Sequence, residues 1–493
     1  MTQTTATAFD RFRATLGSGD IAHAVHEGII GRDVVIDGPF GSKPMLYADY
    51  VASGRALRQM ETFVMEEILP WYSNSHTEAS HCGGVMTRLR REARSIVRSL
   101  CGGGEEHAVI FTGSGATAGI NRLVHLFGLD AAVRNGEYPA VLIGPYEHHS
   151  NILPWRESGA EVIEIPEAAE GGPDRAVLAA ELDRVIGRKP VIGAFSAASN
   201  VTGILSDVEG VTRQLKAVGA KVVWDYAGGG PYLPIRMTPA PDAAIDAIVT
   251  SPHKFVGGPG ASGVLLIRHD AVMTGTPTFP GGGTVRFVSP EGHDYSKNVE
   301  AREESGTPNV IGDLRAALAF IVKDAIGQRF INARNAELHD RAMASWKGHG
   351  RIEILGKSDC PRLPIFSFRI RDGKGGYIHQ QLATRMLSDR YGIQARGGCA
   401  CAGPYVHRLL GIDDAASQGL RDAILSGQEI LKPGFVRLNF SYLSTDAEAE
   451  RIIAAVIDLA NSAAEHLAEY DCDIATAIFT PHALLPEAEM SVG

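Results

Sequence analysis

Two cysteines stand one residue apart in the stretch RGGCACAG, residues 396–403, where the other residues are Arg396, glycine and alanine. A thiolate in such a place can act as a nucleophile or as a metal ligand, and a neighbouring guanidinium favours the charged form. The residues alone leave two readings open: a tight turn that holds two small side chains, and half of a metal site. No further ligands follow at a recognisable spacing, so no metal is expected.

A second set of reactive side chains occurs upstream, and each member follows a short apolar run. The set comprises TGSGAT at residues 112–117, His148 in EHHSN, Asn200 in SAASNVTG, Asp225 in KVVWD and Lys254 in SPHK. Taken singly, these residues have ordinary interpretations as tight-turn residues, caps or solvated side chains. Taken together, they supply an anion site, an imidazole that can stack on a ring, a carboxylate and an amine. Pyridoxal phosphate requires these groups.

The elements that position this set alternate between β-rich runs and helical patterns from about Ala108 to Asp270. The β-rich runs are AVIFTG, AVLIGP, VIEIP, VIGAFSA, KVVWDYA, AIVTS and GVLLIR. Most of them are separated by helical segments such as DRAVLAAELDRVIG, and this alternation predicts an α/β fold with a mostly parallel sheet flanked by helices. Ligands bind beyond the carboxyl ends of such strands, which is where the reactive side chains lie.

The patterning also predicts how the chain divides. The predicted parts are an N-terminal segment at 1–45, a large cofactor-binding domain at 46–327, a small C-terminal α+β domain at 328–472 and a tail at 473–493. The N-terminal segment is expected to pack on the small domain. Residues 271–310 are rich in glycine, proline and threonine and are interpreted as long loops. The small domain is expected to close with a helix from Thr445 to about Tyr470.

Composition restricts the class of partner. The 493 residues are 44% hydrophobic and carry a formal net charge of −10, without acidic or basic blocks. Nucleic-acid and membrane-surface binding both need clustered basic residues, so neither is expected. The six cysteines are scattered apart from the one pair, which predicts reduced thiols. The first residues lack an apolar signal region and no run of about 18 apolar residues occurs, so a cytoplasmic location is expected.

Ten stretches form one ordered pattern from about residue 47 to about residue 450. They are YADYVASG, NSHTEASH, FTGSGATAGIN, EHHSNILPW, SNVTGI, WDYAGGGPYLPI, SPHK, ESGTPN, RGGCACAG and VRLNFSYLSTDAE. In this pattern the chain resembles the class V aminotransferase family of fold type I pyridoxal-phosphate enzymes, and among them the cysteine desulfurases and selenocysteine lyases. The resemblance implies the fold of a fold type I pyridoxal-phosphate transferase.

The resemblance also implies a role for each residue that follows a strand. Lys254 would bind the cofactor aldehyde, and Asp225 would pair with the ring nitrogen. His148 would stack on the ring at the catalytic centre, while Asn200 would lie near the ring hydroxyl and the substrate. The implied phosphate ligands are Ser114, Gly115, Ala116, Thr117, Ser251 and His253. Thr284 would reach the phosphate of a neighbouring subunit, which implies a homodimer.

Two arginines and one thiol complete the implied site. Arg437, in VRLNF, matches the arginine that receives the substrate carboxylate, a task for which a bidentate guanidinium is suited. The family pattern Arg-x-Gly-x-x-Cys fits Arg396, Gly398 and Cys401. Cys401 is therefore the implied nucleophile, with Arg396 near the substrate. Cys399 has no counterpart, and it is a resolving thiol, a persulfide acceptor or a residue without a role.

Several positions depart from the family pattern. Gly228 stands where the family usually carries glutamine, so a contact to the ring hydroxyl is expected to be missing. Tyr226 and Pro252 replace residues that are commonly glycine, and the connection from Cys401 to Arg437 is longer than in typical members. These departures lie near the implied site and bear on the substrate and the reaction.

The resemblance implies conversion of L-cysteine or L-selenocysteine to L-alanine, with a persulfide on Cys401 and a sulfur-acceptor protein as a partner. One alternative is another class V enzyme, such as an aminotransferase, epimerase or lyase, in which Cys401 is not catalytic. A second alternative is a non-catalytic binding protein of the same fold, and the presence of Lys254 argues against it.

Overall fold

The computed structural model describes residues 6–75 and 77–482, and the described chain divides into two compact units. The described parts of the large unit are residues 6–30, 52–75, 77–199 and 205–332. The described parts of the small unit are residues 31–51, 200–204 and 333–482. Each unit therefore combines distant parts of the sequence. The domain boundaries drawn from the sequence at residues 45, 327 and 472 stay a prediction.

The strands of the described residues are short. In chain order they are β1 (Val35–Gly38), β2 (Gly41–Pro44), β3 (Leu46–Tyr47), β4 (His107–Gly113), β5 (Ala140–Ile143), β6 (Glu161–Glu164), β7 (Val191–Ser196), β8 (Lys221–Asp225), β9 (Ala247–Thr250), β10 (Gly263–Arg268), β11 (Val285–Val288), β12 (His293–Tyr295), β13 (Ile352–Ile354), β14 (Ile365–Ile370), β15 (Ile393–Gln394), β16 (Arg396–Gly398), β17 (Phe435–Asn439), β18 (Tyr470–Asp473) and β19 (Ile478–Pro481).

The α-helices vary more in length. In chain order they are α1 (Ala8–Thr15), α2 (Ile21–Glu27), α3 (Arg58–Phe63), α4 (His81–Leu100), α5 (Gly115–Leu126), α6 (Leu129–Arg134), α7 (Leu153–Glu157), α8 (Arg175–Arg184), α9 (Val208–Ala217), α10 (Val299–Glu303), α11 (Val310–Ile326), α12 (Gln328–Trp346), α13 (Gln380–Tyr391), α14 (Gly403–Leu410), α15 (Asp414–Leu425) and α16 (Asp446–Ser462).

A seven-stranded sheet forms the centre of the large unit, in the order β4, β10, β9, β8, β7, β5, β6. The five strands from β9 to β6 are parallel, and β10 is antiparallel to both of its neighbours. The predicted mostly parallel sheet is confirmed. Every residue of β5 and β9 is buried, as expected of strands covered on both faces. The carboxyl ends of the parallel strands consequently lie along one edge.

Helix α5 packs closely on this sheet. Its apolar side chains, including Ile120 and Leu123, belong to the same buried cluster as Val249 of β9 and Leu265 of β10. A β-carbon at Gly119 would lie 2.8 Å from the Val249 Cγ1 atom. Glycine at this position therefore allows the helix backbone to approach the strand.

The small unit is built on a four-stranded antiparallel sheet, in the order β13, β14, β17, β16. Its core includes Trp346, whose ring lies 5.1 Å from that of Phe366, and side chains of α13 and α16 pack in the same cluster. A second pairing joins β15 in parallel to β3, which comes from the N-terminal part of the chain. This pairing is one reason why residues 31–51 belong to the small unit.

Three predicted segments differ from the structure. Residues 271–310, predicted as long loops, contain the exposed hairpin of β11 and β12 and the helix α10. Glycine and proline around these short elements concealed them, because the hairpin buries too little apolar surface to give an alternating pattern. Arg396–Gly398, predicted as part of a loop, forms the edge strand β16. The closing helix is α-helical only to Ser462 and continues as a 3₁₀ helix, Ala463–Glu469.

Candidate active site

The turn between β4 and α5 opens the candidate site of the large unit. Ser114 and Thr117 are exposed there, whereas Gly115 and Ala116 are buried. Gly115 has a φ of +63°, and a β-carbon on it would lie 2.7 Å from the Ser251 Oγ atom. Glycine is therefore required for both conformation and space. The first turn of α5 presents backbone N–H groups and the positive end of the helix dipole, which suit a phosphate.

Ser251 joins this turn to the end of β9. Its Oγ atom accepts the backbone N–H of Ala116 at 2.9 Å. Thr117 Oγ1 lies 2.7 Å from Ser150 Oγ, which in turn lies 3.0 Å from the Nδ1 atom of His148. The predicted phosphate residues and the predicted stacking imidazole thus lie in one connected group. Ser150 links them and was not predicted, although it is the fourth residue of the EHHSN motif.

The ring of His148 is oriented by the backbone that follows it. The backbone N–H of Ser150 donates to His148 Nδ1 at 3.1 Å. An Nδ1 atom that accepts this N–H leaves the proton of a neutral imidazole on Nε2. The short 3₁₀ turn His149–Asn151 provides this geometry, with His148 as its N-cap.

Asp225 and Lys254 lie at the carboxyl ends of the adjacent parallel strands β8 and β9. Asp225 ends β8 and is buried, and its Oδ1 atom accepts the backbone N–H of Ala227 at 2.7 Å. Burial raises the pKa of this carboxyl, while the Ala227 N–H and the Lys254 ammonium act in the opposite direction. Lys254 lies in a 3₁₀ turn, Pro252–Lys254, and is half-buried. The two side chains are therefore electrostatically coupled within the large unit.

Glu147 is a buried acid that sequence reasoning did not assign. Its carboxylate accepts the backbone N–H of Ser196 at 2.8 Å and the Ser196 hydroxyl at 2.6 Å, and it also accepts the amide of Asn151. Burial raises the pKa of Glu147 to about 7, and the charge of Asp225 adds to this effect. The only sequence signal was its position immediately before His148. It joins the end of β7 to the turn that follows β5.

Two further predicted residues of the large unit have distinct surroundings. Burial and the neighbouring Lys254 lower the pKa of His253 to about 4, so its imidazole is neutral at physiological pH. Thr284 is buried, and its hydroxyl donates to the carbonyl of Gly281 within its own turn at 2.6 Å. The contact of Thr284 with the phosphate in a neighbouring subunit stays a prediction.

In the small unit, two arginines share one carboxylate. Arg396 and Arg437 are register partners on the antiparallel strands β16 and β17, which places two like charges side by side. Asp49 compensates them: its Oδ1 atom lies 2.9 Å from Arg437 Nη2 and its Oδ2 atom lies 3.0 Å from Arg396 Nε. Asp49 was quoted in the YADYVASG motif but was not assigned. The group retains one net positive charge, which suits a monocarboxylate.

Asn200 belongs to the small unit, within a segment that is anchored by its neighbours. The hydroxyl of Ser367 donates to the carbonyl of Val201 at 2.6 Å, and Arg362 Nε donates to that of Thr202 at 2.8 Å. Arg437 Nη1 donates to the carbonyl of Asn200 at 3.1 Å. The predicted substrate residues Asn200, Arg396 and Arg437 are thus brought together, with Asp49 added.

The cysteine pair lies in a turn of unusual backbone conformation. Ala400 and Cys401 have φ values of +50° and +55°, and the N–H of Ala402 donates to the carbonyl of Cys399 at 3.2 Å. For residues that carry a β-carbon, a left-handed conformation costs on the order of 1–2 kcal/mol each. Cys401 is exposed and Cys399 is half-buried. The exposed thiol is the one that the motif predicted as nucleophile.

Two further cysteines have different surroundings. Burial raises the pKa of Cys101 to about 12, so this thiol stays protonated, whereas Cys472 is exposed on β18. No group of three or more metal-ligating side chains occurs among residues 6–75 and 77–482. Within the same residues, no helix has the length and apolar character needed to cross a bilayer.

Comparison with known proteins identifies the family. The family model described as "Aminotransferase class-V" matches residues 46–452. This chain belongs to the class V aminotransferase family. The match includes every predicted site residue from Ser114 to Arg437, so the family resemblance inferred from the ten motifs is confirmed.

Class V relatives with curated names cover most of the chain. A probable cysteine desulfurase of Vibrio cholerae is similar at 29% identity over 84% of this chain and 93% of its own length. A cysteine desulfurase of Pectobacterium atrosepticum is 27% identical over 73% of this chain and 85% of its own. A probable cysteine desulfurase of Aeropyrum pernix is 29% identical over the same shares. The similarity therefore extends over both units.

Solved structures support the class V fold. The apo structure of a cysteine desulfurase from Thermococcus onnurineus is similar with a TM-score of 0.69 at 23% identity, covering 85% of this chain and 95% of that chain. A cysteine desulfurase of Escherichia coli gives a TM-score of 0.66 at 22% identity, covering 92% and 98%. The predicted fold class is confirmed by these similarities together with the sheet.

Proposed function

We propose that this class V chain is a pyridoxal-phosphate-dependent cysteine desulfurase that converts L-cysteine to L-alanine and retains the sulfur as a persulfide on Cys401. The observation that carries the proposal is the exposed Cys401 thiol in the same unit as Arg437, the residue suited to an amino-acid carboxylate. The names of the relatives from Vibrio and Pectobacterium support the same reaction.

The chemistry of the donor set fits the cofactor. Asp225 is a buried carboxylate whose pKa is raised by desolvation, so a protonated ring nitrogen would compensate its charge. The space that Gly115 leaves against Ser251 gives a cradle that a β-carbon would fill. Asn200 Oδ1 is buried and has no hydrogen-bond partner among the described residues, so it is available to a hydroxyl donor. Lys254 supplies the primary amine that an aldehyde needs.

Five groups of the large unit would hold the ring and the phosphate of the cofactor. Asp225 would hold the ring nitrogen, and His148 would cover the ring face. Thr117, Ser251 and the first N–H groups of α5 would bind the phosphate. When bound, pyridoxal phosphate supplies a protonated ring that withdraws electrons from the α-carbon of an amino acid. Gly228 has no side chain to offer the ring hydroxyl.

The protein groups would then act in sequence. Arg437 would bind the substrate carboxylate, and Asp49 would keep its guanidinium oriented. The Lys254 amine would remove the proton from the α-carbon and later return a proton to the product. The Cys401 thiolate would attack the substrate sulfur, so that a sulfur–sulfur bond forms and the carbon–sulfur bond breaks. The electron pair of the broken carbon–sulfur bond stays with the β-carbon, which takes up a proton to give L-alanine.

The test is product analysis with two substrates. Purified protein is incubated with pyridoxal phosphate and either L-cysteine or L-selenocysteine, and alanine is quantified beside the sulfur bound to Cys401. Alanine formation with persulfide on Cys401 is the expected result for L-cysteine. Absence of alanine with both substrates would refute the reaction. Alanine from L-selenocysteine alone would assign the chain as a selenocysteine lyase.

The partners follow from the same proposal. A persulfide on an exposed loop would pass its sulfur to an acceptor protein, and Thr284 would contribute to the phosphate site of a second subunit in a homodimer. A cytoplasmic location is proposed with them, since Cys401 must be a free thiol at the start of each turnover and thiols are kept reduced there. Size measurement of the holoenzyme checks the dimer, because a monomer that is fully active would contradict the role of Thr284.

A further inference from the structure

The turn that carries Cys401 has a backbone conformation that its own residues do not favour. Ala400 and Cys401 are consecutive left-handed residues with β-carbons. The hydrogen bond of 3.2 Å between Ala402 N–H and the Cys399 carbonyl lies at the long end of the usual range. A contact from outside the turn is therefore needed to hold this conformation.

Asn200 supplies such a contact. Its Nδ2 atom donates to the carbonyl of Ala400 at 2.8 Å, across 200 residues of sequence. The contact joins the side chain of one small-unit segment to the peptide that immediately precedes Cys401. The Asn200 amide thus contributes to the position of the nucleophilic thiol.

The same asparagine is tied to the carboxylate receptor. Its backbone carbonyl accepts Arg437 Nη1 at 3.1 Å, so a carboxylate bound to Arg437 would lie beside the Asn200 residue. A carboxylate is a stronger acceptor than a neutral peptide carbonyl, because a charged acceptor shortens and strengthens the hydrogen bond. Nδ2 carries two hydrogens, so the carboxylate would displace the Ala400 carbonyl by turning the Asn200 amide toward Arg437.

We infer that Asn200 is a positioning residue that holds the Cys401 turn closed through Ala400, and that a carboxylate arriving at Arg437 takes over the Asn200 amide and releases the turn. This inference rests on the proposed function, since it takes Arg437 as the carboxylate receptor. The consequence is that the exposed thiol becomes mobile only when an amino acid is bound. Reaction of the thiol with other electrophiles is slower in the absence of substrate.

The test measures thiol reactivity and not turnover. The holoenzyme, in a Cys399→Ser background, is treated with iodoacetamide, and alkylation of Cys401 is followed by mass spectrometry with the exposed Cys472 as internal reference. Propionate, a carboxylate without an amine, is the probe. We expect propionate to accelerate alkylation of Cys401 about fivefold, the change in equilibrium that loss of one hydrogen bond gives, and to leave Cys472 unchanged.

Two variants remove the contact from opposite sides. Asn200→Ala removes the donor, and Ala400→Pro forbids a φ of +50° at the acceptor residue. Each is expected to be alkylated about fivefold faster without propionate, with no further gain on its addition, and the double variant is expected to equal either single one. Gln214→Ala is the matched control, because Gln214 Nε2 likewise donates to a backbone carbonyl, that of Arg175, at 2.8 Å in the large unit.

Equal alkylation rates in the parent and both variants, with and without propionate, would overturn the inference. So would acceleration of Cys401 and Cys472 together, since that reports general loosening. The assay needs no desulfuration, so its result is separate from the product analysis. If propionate accelerates alkylation of Cys401 but the protein releases no alanine, the proposed reaction is wrong and this inference stands. If the protein releases alanine but propionate has no effect on alkylation, this inference is wrong and the proposed reaction stands.

Discussion

In the large unit, the residues assigned to the cofactor lie at the ends of buried parallel strands. Asp225 is buried and Ser251 is fixed by a backbone N–H. In the small unit, the thiol assigned to the sulfur lies in an exposed turn with two left-handed residues. A cofactor must keep its orientation through every turnover, whereas a thiol that collects sulfur must reach substrate and then an acceptor. The contrast teaches that the buried groups assigned to the cofactor and the exposed thiol assigned to the sulfur belong to different units of the chain.

The largest expected effect tests the cofactor residues of the large unit. Lys254→Ala is expected to lower alanine formation by at least about a thousandfold and to abolish the absorbance of covalently bound cofactor, because no other amine replaces it. The measurement is absorbance after dialysis, followed by alanine release from L-cysteine. Lys297→Ala, at an exposed lysine of the same unit, should leave both unchanged. Retention of covalently bound cofactor by Lys254→Ala would remove the assignment.

The next effect tests the exposed thiol of the small unit. Cys401→Ser is expected to lower desulfuration by at least about a hundredfold while cofactor absorbance stays at the parent level, because the serine hydroxyl is not ionised and is a poor nucleophile toward sulfur. Cys399→Ser, two residues away and half-buried, is the matched control and should retain most of the activity. If both variants lose activity equally, the turn and not one thiol is required.

A third prediction concerns the effect of the buried Glu147 carboxyl on the stability of the large unit. In the folded protein the pKa of Glu147 is about 7, above its ordinary value of 4.5. Between these values the folded state holds a proton that the unfolded chain has lost, so the free energy of unfolding falls as the pH rises and the fall is complete above about pH 7. Glu147→Gln cannot ionise, and its free energy of unfolding should fall by about 2 kcal/mol less between pH 5 and pH 8.

Denaturant unfolding at several pH values makes this measurement. The exposed Glu157→Gln is the control and should follow the pH dependence of the parent protein. Parallel curves for Glu147→Gln and the parent would show that Glu147 is ionised throughout this range.

The smallest effect concerns the arginine pair of the small unit. Asp49→Asn removes the charged acceptor that Arg396 and Arg437 share, so the guanidinium of Arg437 is less well oriented. We expect KM for L-cysteine to rise about tenfold, or about 1.4 kcal/mol, with kcat changed by less than about threefold. The exposed Asp359→Asn serves as control. A fall in kcat at constant KM would place Asp49 in the chemical step.

The sequence revealed the cofactor-side residues better than their partners. Asp225 and Lys254 follow apolar runs whose pattern fixes both strand position and sheet edge, so their neighbourhood could be predicted. Asp49 lies 388 residues from Arg437, and no local pattern reports a contact of that span. Glu147 was hidden for a related reason, because its three hydrogen-bond donors come from two separate segments. The hairpin of β11 and β12 was missed because its residues are mostly exposed.

The origin of β3 and Asp49 near the start of the chain has a consequence for how the protein can be cut. A fragment that begins at residue 333 contains β14, β16 and β17 but lacks the strand that pairs with Ile393–Gln394 and the carboxylate between two guanidinium groups. Such a fragment would expose a bare strand edge and two repelling cations. During synthesis, residues 31–51 must therefore wait for strands that are made hundreds of residues later, and deleting the first 51 residues would destabilise the small unit without altering the C-terminal sequence.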